Sequence, residues 1–204
     1  MLNSKNTFEQ NIKEARAISD IYNYLSSEVK VPFSVDDLLR SQIVYAVSAF
    51  DKLIHDLIRV GLVQSYEGLR TQTPKYINEV FPMSVIQQMS TASIPPAVHY
   101  FEQAVFQKLK VFSYQDPSKV SDGLSYIWDE KQKWQKITTQ MGSTKDHKEV
   151  KTQLKLIADR RNMIVHEADL SPASMQKQDI TSSEVIEIID FIESCGNAIY
   201  QLVK

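Results

Sequence analysis

The sequence is poor in the residues on which much small-protein chemistry rests. Among 204 residues there is one cysteine, Cys195, and there are only 5 glycines. A lone cysteine excludes an internal disulfide framework and any zinc site built on thiolates. Glycine at about a third of its usual share argues against phosphate-cradling glycine loops and many tight hairpins. No apolar run approaches the roughly 18 residues a membrane-spanning helix needs. The opening MLNSKNTFEQNIKEAR holds no apolar core of signal-peptide length. Neither charge sign is in excess: 23 Lys and Arg face 25 Asp and Glu, a formal net charge of −2. The total points neither to a globally basic nucleic-acid binder nor to an acidic disordered tail. What is present is ordinary for a globular chain, with 43% hydrophobic and 24% charged residues. A chain of this length can bury a sizeable core without a metal or a disulfide. The expectation is one cytoplasmic, helix-rich domain over residues 1–204, with no membrane segment and no cofactor.

Apolar residues recur every three to four positions through most of the chain, the spacing of amphipathic helices. Phe8, Ile12, Ala15, Ile18, Tyr22 and Leu25 predict a helix from Phe8 to about Val29, ended by Pro32. Ser34-Val35-Asp36-Asp37 reads as a capped start. A long helix follows from about Val35 to Val63, with Gly61 placed to close it. Residues 65–96 are irregular, broken by Pro74, Pro82, Pro95 and Pro96, with a short helix from about Pro82 to Met89. Further helices are predicted over Ala97–Val111, from Pro117 to about Ile137, and from His147 to about Val165. The polar connection after Leu170-Ser171-Pro172 marks the end of that last one. Thr181-Ser182-Ser183-Glu184 opens the final helix. Strand-type alternation does not persist, and no internal repeat is visible. The fold class is all-α, a bundle with an irregular insertion between its second and third long helices.

One segment carries most of the chemistry, Asp159-Arg160-Arg161-Asn162-Met163-Ile164-Val165-His166-Glu167-Ala168-Asp169. With Ile157 at the centre of the apolar face, Val150, Leu154 and Ile164 fall within about 60° of it, and Arg161 only about 40° away. An arginine inside an apolar stripe is costly unless a partner pairs with it or the stripe meets a ligand or another subunit. A buried arginine–carboxylate pair, or a side chain snorkelling to the edge, is the commoner explanation of such an arginine. His166 lies about 140° round from Arg161. In the last turn it suits the helix dipole and can serve simply as a C-terminal capping histidine.

These residues resemble the HEPN superfamily. Arg161, four intervening residues and His166, with Asn162 after the arginine, match its Arg-x(4–6)-His signature. The string RRNMIVHEADL is similar to a prokaryotic branch found near predicted RNA ligase and phosphatase repair genes. Ser48-Ala49-Phe50-Asp51-Lys52-Leu53-Ile54-His55-Asp56 resembles that branch too. The resemblance implies an all-α, dimeric, HEPN-like bundle, and in many relatives a metal-independent endoribonuclease. It implies that Arg161 and His166 face a two-fold axis and build a composite site. Such cleavage uses the 2′-hydroxyl of the RNA as nucleophile. Histidine suits the proton transfer, and the arginine fork suits the charge that develops on phosphorus. Asn162 would hold the arginine or donate to a phosphate. Antitoxin or operon-encoded partners, in defence, toxin–antitoxin or RNA-repair settings, are implied in the same way. So is the alternative of a non-catalytic module binding RNA, nucleotide or protein. A subtype silenced by nucleotidyl modification carries a tyrosine two residues after the histidine; here that residue is Ala168.

Asp51 and His55 are four apart on the early long helix and share a face at the edge of its core stripe. They are supporting candidates, with Arg160 and Glu167, or else a solvated pair. Lys131, Lys133, Lys136 and Lys155, with Trp134, read as a weak RNA-binding surface or as the polar face of an amphipathic helix. His99 and His147 have no histidine or cysteine at metal spacing, so no metal is expected. From Glu130 to Arg161 nine basic residues face four acidic ones, a local +5 that leaves −7 elsewhere. That field would attract a phosphate backbone, or it reflects two solvated helix faces.

Overall fold

The computed structural model describes residues 1–171 and 174–204. Among the described residues there are nine α-helices and no named strand. They are α1 (Leu2–Asn23), α2 (Asp37–Tyr66), α3 (Pro74–Ile77), α4 (Met83–Thr91), α5 (Ala97–Leu109), α6 (Pro117–Leu124), α7 (Lys133–Gln140), α8 (His147–Glu167) and α9 (Ser182–Val203). A π-helical turn, Tyr24–Val29, continues α1. Pro172, read as marking the end of α8, lies outside the described residues.

The centre is α2, 30 residues long. It packs against α1, α5, α6, α8 and α9. Its stripe Leu39, Ile43, Val47, Phe50, Leu53, Ile54, Leu57 and Ile58 is buried throughout. Each such side chain contributes roughly 1.5–3 kcal/mol by leaving water. Phe8, Ile12 and Ala15 of α1 close one side of the core, and Ile189, Ile192, Cys195 and Ile199 of α9 another. Burial holds the Cys195 thiol up at about 12.

The expected hydroxyl cap of the long helix is corrected: α2 starts at Asp37 with Asp36 at the N-cap and no side-chain cap, and Ser34 Oγ accepts only the Asp36 N–H before it. Asp146 and Glu149 form a reciprocal capping box at α8, as Thr181 and Glu184 do at α9. Two further expectations are corrected. The helix α2 runs on to Tyr66, so Gly61 is interior to it. There a Cβ would lie 2.5 Å from Ile127, so close packing and not helix closure calls for glycine. The segment 117–137 is two helices, α6 and α7, joined by a turn from Ser125 to Gln132. Ile127 and Trp128 keep helical spacing there although the backbone turns. The bundle is tied at this point by Trp134, whose Nε1 donates to the Pro117 carbonyl at 3.0 Å. Residues 65–96 contain α3 and α4. Thr73 caps α3, while α4 lies along α5.

Candidate functional site

The helix α8 carries the motif. Val150, Leu154, Ile157 and Ala158 pack into the core and fix its rotation. That rotation directs Arg161 into a pocket of about 300 Å³ between α2, α5 and α8, where it meets Ser48, Asp51, His55 and Gln115. No carboxylate pairs with Arg161 among the described residues. Its Nε is buried without a hydrogen-bond partner. Its Nη1 donates to Oδ1 of the neighbouring Asn162 at 3.2 Å. Among the described residues, the buried arginine–carboxylate pair that would have explained this side chain is not formed.

Asn162 and His166 are exposed. They are four apart on α8, so they share one face, while Arg161 and Val165 share the next. Asn162 therefore reaches from the His166 face to the arginine. His166 stands exposed in the last turn and does not enter the pocket that holds Arg161. Beside the motif lies apolar surface: Val165 is 46% and Tyr45 of α2 60% exposed. Both line a groove with Val44 and Ile164.

The end of α8 is fixed by a buried ionic cluster. Ala168 (φ 50°) and Asp169 (φ 61°) turn left-handed, and their N–H groups both donate to the Met163 carbonyl. Left-handed residues other than glycine are strained unless their surroundings hold them. Here the carboxylate of Asp169 supplies the hold. It is 0% exposed, and its Oδ2 accepts from Arg40 Nε at 2.7 Å and Arg160 Nη2 at 2.9 Å. Arg40 also donates to the Gln178 carbonyl at 2.6 Å, and Arg160 to the Asp179 carbonyl at 3.1 Å. Arg160 thus faces this cluster and not the Arg161 pocket. Glu167 is exposed. From the sequence, Asp169 with Glu167 reads only as a weak support beside His166, since acids near helix ends are mostly solvated.

Asp51 and His55 hold the wall of the pocket. Asp51 Oδ1 accepts the backbone N–H of Tyr114. The His55 Nε2 lies 3.2 Å from the Phe112 carbonyl, to which it donates in the Nε2–H tautomer. The His55 ring meets Tyr114 edge-on, with centroids 4.7 Å apart. Burial pushes the Tyr114 phenol up to about 12, and Asp122 and Asp51 push the same way. Two residues four apart on α2 therefore clamp the α5–α6 loop against the pocket. The two side chains are themselves 3.9 Å apart.

The lysines divide. Lys133 is 8% exposed, and its Nζ donates to the Glu130 carbonyl at 2.5 Å. Lys131, Lys136 and Lys155 are exposed. Lys131 and Lys133 border a cleft of about 730 Å³ with Trp134 and His147. His147 opens α8, fourteen residues from Arg161, or about 21 Å along the axis. Among the described residues no cluster of three or more His, Cys, Asp or Glu has metal-site geometry. No described helix is long and apolar enough to cross a membrane.

A RiboL-PSP-HEPN family model matches residues 9–204. The chain belongs to the RiboL-PSP-HEPN family. The match includes α8 with Arg161 and His166, and it takes in the α3–α5 region, where the sequence resemblance was least informative. Within the HEPN superfamily this makes the all-α architecture a family property and an RNA-cleaving or nucleotide-binding role the coarse functional assignment. No curated protein and no solved structure matches the chain significantly.

Proposed function

We propose that the protein is a metal-independent endoribonuclease that cuts single-stranded RNA at a composite site made by two copies of the chain. The observation that carries this is Arg161: a guanidinium set into a helix face, unpaired by any described carboxylate, with an Nε left unpartnered. A cation kept free in this way is suited to a phosphate. His166, Asn162, Val165 and Tyr45 supply the rest. Exposed apolar surface around the motif favours burial against a second copy, and a two-fold axis beside α8 would bring the exposed His166 to the arginine.

In this reading the 2′-hydroxyl attacks the adjacent phosphorus, the P–O5′ bond breaks, and a 2′,3′-cyclic phosphate and a 5′-hydroxyl result. His166 moves the proton, Arg161 stabilises the charge on the phosphoryl oxygens, and Asn162 steadies the guanidinium. Arg160 acts at a distance, by fixing the end of α8. The protein works in the cytoplasm, in a defence, toxin–antitoxin or RNA-repair setting, with an antitoxin or an operon-encoded protein as a further partner. The second reading, a non-catalytic module binding RNA, nucleotide or protein, is favoured by one observation: among the described residues no hydrogen bond or ion pair within the protomer holds the His166 ring. The two separate in an assay of varied single-stranded RNAs in EDTA, with light scattering on the same sample. Cleavage by a dimer supports the nuclease; a monomer, or a dimer that cuts nothing, supports the module.

A further inference from the structure

We propose that the pocket beside Arg161 is a subsite for one nucleotide of the RNA, its phosphate on Arg161 and Lys110 and its base against Phe106. The inference rests on the reading of Arg161 as a phosphate-binding cation and adds residues that the motif does not contain. The charges lead to it. Four cations border the pocket: Lys52, Arg59, Lys110 and Arg161. Two are neutralised in place, because Asp56 takes Lys52 at 2.9 Å and Arg59 at 3.5 Å, and Arg59 also pairs with Glu102. Asp51, the other lining carboxylate, accepts the Tyr114 N–H and keeps its negative charge. Lys110 and Arg161 are left without a carboxylate within 4.0 Å among the described residues. Counting Asp56 and Glu102 against Lys52 and Arg59, and Asp51 against one more, the wall keeps a net +1, and Lys110 and Arg161 are both free to take an anion.

The apolar wall narrows the class. Phe106 is 55% exposed, although its neighbour Val105 and nearby Leu109 are buried. A phenyl ring at the rim of a cationic pocket is the arrangement on which bases of single strands stack. The volume of about 300 Å³ suits one nucleotide and is too small for a duplex. The loop clamped by Asp51 and His55 forms the floor through Gln115, so the pocket is preorganised.

The test uses the full-length chain and a fluorescent 2′-O-methyl RNA, which lacks the nucleophile and reports binding alone. Wild type, Phe106→Ala and Phe106→Tyr are titrated, together with RNAs carrying one abasic nucleotide at each position in turn. The expected result is binding weakened about tenfold by Phe106→Ala and restored by Phe106→Tyr. At one position the abasic substitution should weaken wild type but not Phe106→Ala. Free nucleoside monophosphate, ribose 5-phosphate and inorganic phosphate as competitors show whether the base is needed. Equal affinity of wild type and Phe106→Ala at every position, or no RNA binding by wild type, overturns the subsite. Phe106-dependent binding without cleavage of ordinary RNA would leave the subsite standing and remove the nuclease. Cleavage with no dependence on Phe106 would do the reverse.

Discussion

The Asp169 carboxylate accepts a hydrogen bond from Arg40 Nε at 2.7 Å, across 129 residues of sequence. This contact joins the start of α2 to the end of α8. One helix carries Asp51 and His55, the other Arg161 and His166, so the pair sets the motif's position relative to its pocket.

Asp169→Ala should therefore destabilise the fold by about 3–5 kcal/mol, because Arg160 loses its one carboxylate among the described residues and the buried Arg40 keeps only the exposed Asp37 at 3.3 Å. Urea denaturation measures it. A loss under about 1 kcal/mol would show that Asp37, the Gln178 side chain and the Gln178 and Asp179 carbonyls suffice to hold Arg40 and Arg160.

Arg161→Lys should lower RNA cleavage by roughly a hundredfold or more while leaving the urea midpoint near wild type. An ammonium keeps the charge but not the fork that holds a phosphoryl group in two places. Single-turnover rates in EDTA check it, and a rate within about threefold of wild type would mean that only charge matters there.

Acid should weaken the fold through Glu79 and Asp37. Burial pushes the Glu79 carboxyl up, but hydrogen bonds from Lys108, Tyr126 and the Val80 N–H outweigh it and leave it below its ordinary value. At Asp37 the Lys177 hydrogen bond does the same against a weaker burial effect. Carboxyls lowered by folding stabilise above their unfolded range and lose that contribution as the pH falls through it. The urea midpoint should thus decline as the pH drops below about 4 to 5. Glu79→Gln should make that decline shallower, and an unchanged slope would contradict the assignment.

Gly196→Ala should cost about 1–3 kcal/mol. A Cβ there would lie 2.5 Å from the Phe8 ring and 3.1 Å from Leu53, where α9, α1 and α2 meet. Thermal unfolding reports it, and a neutral result would mean that Phe8 can move aside.

Legibility in the sequence followed the range of the interactions. The long helices were readable because their apolar spacing is local, and the α9 start because Thr181 and Glu184 lie three apart; the Ser34 start of α2 misled, since that hydroxyl caps nothing in the helix. The break between α6 and α7 was hidden because Ile127 and Trp128 keep helical spacing through a turn. Arg161 was conspicuous from its place in the stripe, and the absence of a carboxylate there had to be seen in three dimensions. The Asp169–Arg40 pair and the Lys110–Phe106 wall join elements far apart in the chain, and no pattern along the chain announces them. One hint was present: Phe106 stands one residue off the stripe of Phe101, Val105 and Leu109, and an aromatic off its stripe is a candidate for contact.

The central claim is that Arg161 and His166 act together across two copies of the chain, without metal. It is tested most directly by preparing Arg161→Ala and His166→Ala separately, then assaying each, and their unfolded-and-refolded mixture, on single-stranded RNA in EDTA. The predicted result is no cleavage by either variant alone and cleavage by the mixture, whose heterodimers hold one intact arginine and one intact histidine. His166→Ala cutting as fast as wild type, or a heterodimer as inactive as its parents, would contradict it.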